Sequence, residues 1–278
     1  LRHIALLCEY DGSVFHGWQE QANAPSVQEA LRLAWRELSG EDFSFRSCSR
    51  TDAGVSAWAH VSDFFTESAI PAEKIPLALN SKVPSGLSVL KAREVPEAFH
   101  SRKDPLGKAY VYRVWLGPSR PSILRHLVAH FPLDLNLQSM NELGQQLCGE
   151  HDFKAFMDQG SVVRQTIRRL DCLLSVRQGD TLAIICLGDG FLYHQVRILA
   201  GTLILVGRQK LSPEEVLDAC HRKDRTALGP TLPPEGLCLH KVFFPGGLFG
   251  DDDENAYKAL CHSAALFKPL DFSMEKIR

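Results

Sequence analysis

Apolar residues along this chain come in short runs whose spacing switches between strand and helix periods. His3–Glu9 is a nearly continuous apolar run and predicts a strand, ended by the turn pair Asp11-Gly12. Ser26-Val-Gln-Glu29 reads as a capping box: Ser26 accepts from a backbone N–H and Glu29 reaches back. Val27, Ala30, Leu31, Ala34 and Leu38 then follow the spacing of one buried helix face, and Ser39-Gly40 stops it. Phe43–Cys48 alternates as a strand, and Ala59–Phe65 is a second apolar run beyond a short polar loop. A helix over Ala72–Lys82 and a strand over Leu87–Ala92 complete this first series.

The order then restarts. Lys108–Leu116 alternates as a strand, and Gly117-Pro118 turns the chain. Gln138–Cys148 reads as a helix that Gly149 ends. Leu170–Val176 and Thr181–Leu187 predict a hairpin across Gln178-Gly179-Asp180. Tyr193–Val206 predicts an amphipathic helix, with Leu192, Val196, Leu199, Leu203 and Val206 as its buried stripe. Ser212-Pro-Glu-Glu215 caps a shorter helix with proline at its first position, and Leu237–Phe244 is a closing strand. Two halves of similar order, each mixing strands with a pair of helices, predict a duplicated α+β architecture. Residues 1–104 and 105–246 are the expected halves. Residues 247–278 open with Gly-Gly, contain Asp251-Asp-Asp-Glu254, and read as an exposed acidic linker with a short tail.

Composition narrows the class. At 278 residues, with 45% hydrophobic and 23% charged, the chain has the makings of an ordinary globular core. No apolar stretch reaches the length of a membrane span; the longest, Val196–Val206, is broken by Arg197, Gly201 and Thr202. The first residues enter strand-like sequence at once, with no signal-peptide architecture and no initiator methionine, so a few residues are expected to be missing. Eight cysteines lie scattered without a Cys-x-x-Cys pair, which predicts reduced thiols in the cytoplasm rather than a disulfide framework. The 11 histidines show no ligand spacing, so no metal is expected. The net charge of −2 does not advertise a nucleic-acid partner. Phosphates would have to meet local basic surface. Arg102-Lys103, Lys108, Arg164 with Arg168-Arg169, Arg208 with Lys210, and His221–Arg225 are the candidates, each taken alone reading first as a solvated charged face.

Three places carry candidate chemistry. Arg50-Thr51-Asp52-Ala53-Gly54-Val55 is a strand–loop–strand with one carboxylate at its tip, a glycine for the turn and an arginine two residues upstream. An ordinary Asx-type turn has the same local pattern. Period two puts Lys108, Tyr110, Tyr112 and Val114 on one strand face, which suits base stacking with a phosphate contact, or a core face with satisfied hydroxyls. In Phe191-Leu-Tyr-His-Gln-Val-Arg197, His194 and Arg197 share a face at i, i+3 of a strongly apolar helix. Arg197 there wants a partner or a phosphate, or snorkels to the surface.

Six segments, in order, resemble the TruA-type tRNA pseudouridine synthase family. The Arg50–Val55 loop resembles its signature. Glu9-Tyr-Asp-Gly with Gly17-Trp18-Gln19 resembles its opening strand and turn, and Ser26-Val-Gln-Glu its first helix start. Phe99-His-Ser-Arg102 followed by Lys108-Ala-Tyr-Val-Tyr-Arg resembles its central segment. Phe191–Arg197, leading to Val206-Gly207, resembles its late catalytic helix, and Pro234-Glu-Gly-Leu-Cys-Leu its final strand. The likeness covers roughly residues 3–245; one such motif is weak evidence and six in order are strong.

The resemblance implies the pseudouridine synthase fold: α+β, with two related mixed halves whose largely antiparallel sheets flank a central catalytic cleft. It implies conversion of uridine to pseudouridine in the tRNA anticodon stem-loop, without cofactor, by a cytoplasmic homodimer in which one subunit helps bind the tRNA acting at the other. Asp52 is then the nucleophile, Tyr110 packs on the target base, and Arg197 is the charge partner of Asp52. Arg50, Arg102, Lys108 and His194 join Tyr110 as expected RNA contacts. A carboxylate can split a difficult step through a covalent intermediate. A phenol, with an ordinary pKa of about 10, is a poor base for the C5 proton unless coupled to Arg197 or water. Where the family usually continues Val-His-Ala, this chain has Val55-Ser56-Ala57. That departure bears on local RNA contacts and substrate preference, not on the nucleophile. Two other classes fit parts of the pattern: a tRNA-binding or folding protein without catalysis, and a glycosidase, which would need a second paired acid that the Asp52 loop does not offer.

Overall fold

The computed structural model describes residues 1–160 and 163–262. In chain order the elements are β1 (Arg2–Tyr10), α1 (Val27–Ser39), β2 (Arg46–Ser47), β3 (Ser56–Thr66), α2 (Ile75–Asn80), β4 (Leu87–Glu94), β5 (Gly107–Trp115), β6 (Ala129–His130), α3 (Leu137–Leu147), β7 (Gly149–Asp152), β8 (Ile167–Gln178), β9 (Thr181–Gly188), α4 (Gln195–Gly207), α5 (Pro213–Arg222), β10 (Leu237–Phe243) and α6 (Asp253–His262). This is a mixed α+β chain with mostly antiparallel strand pairs. It divides into two compact units, with the boundary inside β5 between Tyr110 and Val111. Of the described residues, the first unit holds 1–110, 122–129 and 233–254; the second holds 111–121, 130–160, 163–232 and 255–262. No described helix is long and apolar enough to cross a membrane.

In the first unit the strands lie in the order β4-β1-β3-β10, with the short β2 on β3. β1 pairs antiparallel with β3, from Arg2 opposite Thr66 to Tyr10 opposite Ala57, and with β4 on its other edge. Ile4, Ala5, Leu6 and Cys8 are all buried, so β1 reads as a continuous apolar run rather than an alternation. The return strand β10 pairs with β3 in parallel, Cys238 opposite Ser56 and Leu239 opposite Ala57, at the point where the Asp52 loop ends. Helix α1 begins where its cap predicts, with Ser26 Oγ accepting from the Glu29 N–H at 3.3 Å. Its buried apolar stripe is Val27, Leu31, Ala34 and Trp35, so Trp35 takes the place expected of Ala30 and Leu38. Gln28 is also buried. Its amide donates to Phe45 O at 2.8 Å and its Oε1 accepts from the Glu20 N–H at 3.0 Å, so burial leaves no orphaned polar atom there.

In the second unit β7, β8 and β9 form an antiparallel meander, with Gln178 opposite Thr181 closing the predicted hairpin. α3 lies on β8, where Asn141 bridges the Ser175 main chain: Nδ2 donates to the carbonyl at 3.1 Å and Oδ1 accepts from the N–H at 2.7 Å. Helix α4 departs from expectation. It is buried nearly all round, with Arg197 and Leu205 the positions that are not, so the anticipated single stripe is a whole cylinder. Ser212 and Glu215 form the complete capping box of α5.

The acidic run near the C-terminus is exposed at Asp251, Asp252 and Glu254, as its composition suggests, but not at Asp253. Asp253 is buried and accepts from the Phe244 N–H at 3.1 Å, while Lys241 Nζ pairs with it at 3.0 Å and with Asp251 at 3.2 Å. The rest of the expected tail, 263–278, lies outside the described residues.

Candidate active site

The Arg50–Val55 loop is seated on the segment after β1. Trp18 N–H donates to Thr51 O at 3.1 Å, and Gly54 N–H donates to Phe15 O at 3.3 Å. The Tyr10 hydroxyl meets Thr51 Oγ1 at 2.8 Å. Two glycines allow this approach. A Cβ on Gly12 would stand 2.3 Å from Val55 C, and one on Gly17 would stand 2.5 Å from Thr51 O, both against main chain that cannot yield. The loop closes by Val55 N–H donating to Asp52 O at 3.1 Å. Asp52 is thus presented, half-buried, at the tip of a turn held by backbone on its inner side. The motifs Asp11-Gly12 and Gly17-Trp18, separate signals in the sequence, are the base of the Asp52 loop.

Ser56, the departure from the family pattern, is 2% exposed at the start of β3, and its Oγ accepts the Gly12 N–H at 2.9 Å. In this chain position 56 is interior, so the departure alters the loop's support rather than an exposed contact.

The residues leading into the loop are held from the sheet. Lys108 Nζ donates to Cys48 O at 2.6 Å, and the Tyr110 hydroxyl meets Ser49 Oγ at 2.7 Å. Both come from one face of β5, as period two predicts. Lys108 is only 8% exposed, beneath the loop, and Tyr112 is fully buried. Burial pushes the Tyr110 hydroxyl well above its ordinary pKa; Asp52 adds to that, while the Ser49 hydrogen bond opposes it. His60, stacked on Trp18 with ring centroids 3.9 Å apart, donates from Nε2 to Ser49 O at 3.0 Å. Burial lowers its pKa to about 3, so the ring is neutral at ordinary pH.

Arg50 and Arg102 are exposed. Arg102 follows a support network that local sequence did not signal. Asp63 is fully buried and accepts from His3 Nε2 at 2.8 Å, Arg46 Nε at 2.6 Å and the Ser101 N–H at 3.0 Å. Burial alone would raise the Asp63 pKa, but these hydrogen bonds outweigh it and the carboxyl is held low. The network fixes the Phe99–Arg102 segment.

In the second unit, Arg197 sits in the first turn of α4 and its Nε donates to Leu232 O at 2.6 Å. His194 does not share a helix face with it. It precedes the helix in the left-handed conformation, φ 62°, and its Nδ1 bonds Asp158 at 2.8 Å. Tyr193, 43% exposed, stacks on the His194 ring at 3.7 Å. Asp158 also accepts from Thr231 Oγ1 at 2.6 Å and Arg225 Nε at 2.8 Å. Its partial burial is outweighed by those partners, which hold its pKa at about 2. Arg225, one of the candidate phosphate contacts, is therefore engaged with other residues of this chain; Arg169, though exposed, is paired with Asp171 at 2.8 Å. Asp158 was not foreseeable as a hub, being one acid in a polar loop. Among the described residues no group of three or more His, Cys, Asp or Glu is placed to hold a metal ion.

A family model described as tRNA pseudouridine synthase matches residues 7–102 and 144–245. The matched segments contain Asp52 and Arg197; Tyr110 lies between them. The tRNA pseudouridine synthase A of Ruminiclostridium cellulolyticum is 40% identical over 245 residues, which span 88% of this chain and 100% of that protein. The protein of the same name from Caldicellulosiruptor saccharolyticus is 41% identical over 245 residues, with the same coverage. The tRNA pseudouridine synthase A 2 of Clostridium perfringens is 38% identical over 244 residues, again 88% of this chain and 100% of the relative. With identity at this level along nearly the whole chain, and the signature loop seated as described, the chain belongs to the tRNA pseudouridine synthase family, a family of isomerases.

Proposed function

We propose that this chain converts uridine to pseudouridine in the anticodon stem-loop of tRNA, with Asp52 as the nucleophile. The observation that carries the reading is the seating of Asp52: a carboxylate raised on a loop fixed by Thr51, Gly54 and Ser56 to the segment after β1. A nucleophile contributes most when its position is set before the substrate arrives. In the reaction the N1–C1′ bond breaks, the base rotates, and a C5–C1′ bond forms. N1 gains a proton and C5 loses one, so composition is unchanged and no second substrate is required. Asp52 would carry the detached fragment covalently.

The target base must leave its stack, at a cost of a few kcal/mol, roughly. Tyr110 recovers about 1–3 kcal/mol of that by packing on it. Burial disfavours the Tyr110 phenolate, which supports a packing role over that of a free base at neutral pH. Arg197, a rigid fork of donors, is the proposed charge partner of Asp52 on the strength of the family likeness. The exposed Arg50 and Arg102 suit phosphate contacts, with His194 as a further RNA contact; Lys108 serves from below by holding Cys48. The same likeness supports a cytoplasmic homodimer as the working form.

Unmodified tRNA transcript incubated with the wild type and mapped for pseudouridine is expected to show product in the anticodon arm, and Asp52→Ala is expected to give none. Equal product from both would remove Asp52 as nucleophile. No product from the wild type would favour a tRNA-binding or folding role.

A further inference from the structure

We propose that Ser49 is a positioning residue for the Tyr110 hydroxyl, a role that rests on the reading of Tyr110 as the residue packed on the target base. The two oxygens lie 2.7 Å apart. The main chain of Ser49 is fixed around that contact. Its N–H donates to Ser47 Oγ at 3.2 Å, and its carbonyl accepts from the Ser47 hydroxyl at 2.6 Å and from His60 Nε2 at 3.0 Å. With the backbone held, the one remaining freedom of Ser49 is its χ1, and the bond to Tyr110 takes it up.

The strand side is equally constrained. Alternate residues of β5, Lys108 and Tyr110, grip the consecutive residues Cys48 and Ser49. Arg50, Thr51 and Asp52 follow directly, and Thr51 is held in turn by the Tyr10 hydroxyl at 2.8 Å. Ser49 therefore joins, through one hydroxyl, the chain that carries the nucleophile to the ring that meets the base. A shift of the Tyr110 hydroxyl away from the chain leading to Asp52 has to break this bond.

A serine hydroxyl suits the task because it both donates and accepts. A backbone carbonyl in its place would only accept, and would bind the phenol permanently as donor. Against Ser49 the Tyr110 oxygen can accept while donating to the substrate, or donate while accepting from it. The hydrogen bond is kept in either case, and no net proton transfer is required of Ser49.

The test uses single-turnover rates with enzyme in excess over unmodified tRNA transcript, and filter-binding affinities for the same transcript. Ser49→Ala is expected to slow turnover about tenfold, the worth of one hydrogen bond near the reacting groups, with affinity changed by no more than about twofold. Ser49→Thr, which keeps the hydroxyl, should recover most of the rate. In a Tyr110→Phe background, Ser49→Ala should cause no further loss. Equal losses in both backgrounds, a wild-type rate for Ser49→Ala, or a Ser49→Thr variant as slow as Ser49→Ala would each overturn the proposal. If Tyr110→Phe turns over too slowly to follow, the cycle is read on thermal midpoints, where absence of coupling between the two hydroxyls overturns it. No product from the wild type overturns the functional reading together with this role; an active wild type with additive variants overturns this role alone.

Discussion

His60 is a buried residue whose charge state bears on folding near neutral pH. It lies fully buried on Trp18 and donates to Ser49 O. Burial lowers its pKa from 6.5 to about 3 in the folded chain. Below pH 6.5 the unfolded chain therefore takes up a proton that the folded chain refuses, and stability falls until the folded pKa is reached. One such group contributes a slope of at most about 1.4 kcal/mol per pH unit. The carboxyl of Asp158 acts lower: its stabilising effect is present above 3.8 and is lost only as pH falls toward about 2. Thermal midpoints measured from pH 8 down to 4.5 are expected to decline from about pH 6.5 in the wild type, and less steeply in His60→Gln. Parallel curves would assign the decline to other groups. None of this was legible locally. His60 stood in an apolar run with no marked partner, Lys108 looked like a surface cation, and Ser56 looked like a substitution beside a motif. A polar residue's burial depends on what the chain lays over it, and period two cannot say which faces of a central strand are covered.

The start of α4 is the clearest case of an element set by distant contacts. Hydrophobic spacing located the helix within two residues, and Tyr193 and His194 carry no signal that would exclude them from it. The left-handed turn at His194 comes from its bond to Asp158, 36 residues earlier. The same carboxylate ties down Arg225 and Thr231, whose segment runs on to Leu232, the acceptor for Arg197. Asp158→Ala removes the shared acceptor of three side chains and is expected to cost about 1–3 kcal/mol of stability. Because Leu232 loses its anchor, the single-turnover rate on tRNA transcript should also fall. Thermal melting and that rate, measured together, check both parts; an Asp158→Ala protein with wild-type values in each would show that Arg197 is positioned without this hub. The helix caps at Ser26 and Ser212, by contrast, were readable directly, because a cap needs only residues within one turn.

Taken as one particle, the family likeness makes a definite claim about mass. Sedimentation of the purified chain is expected to give about twice its 31.0 kDa, and a single species at 31.0 kDa would remove the homodimer. With a net charge of −2 the chain offers tRNA no overall attractive field, so the proposed reading places the phosphate contacts on local exposed arginines. Reading the chain alone was enough for the order of the main strands and helices from β1 to β10, the α+β class, the Asp52 loop and the family, but not for the short β6 and β7 or for α6. Periodicity, turn chemistry and short motifs are local properties that survive without coordinates. Folding in three dimensions was needed to say what supports the loop. Gly12, Gly17, Ser49, Ser56 and Lys108 act through partners that lie far off along the chain, 61 residues between Ser49 and Tyr110 and 44 between Gly12 and Ser56. Hydrogen bonds and close backbone approaches at that separation arise when the sheet assembles, and no window of sequence contains both ends of them.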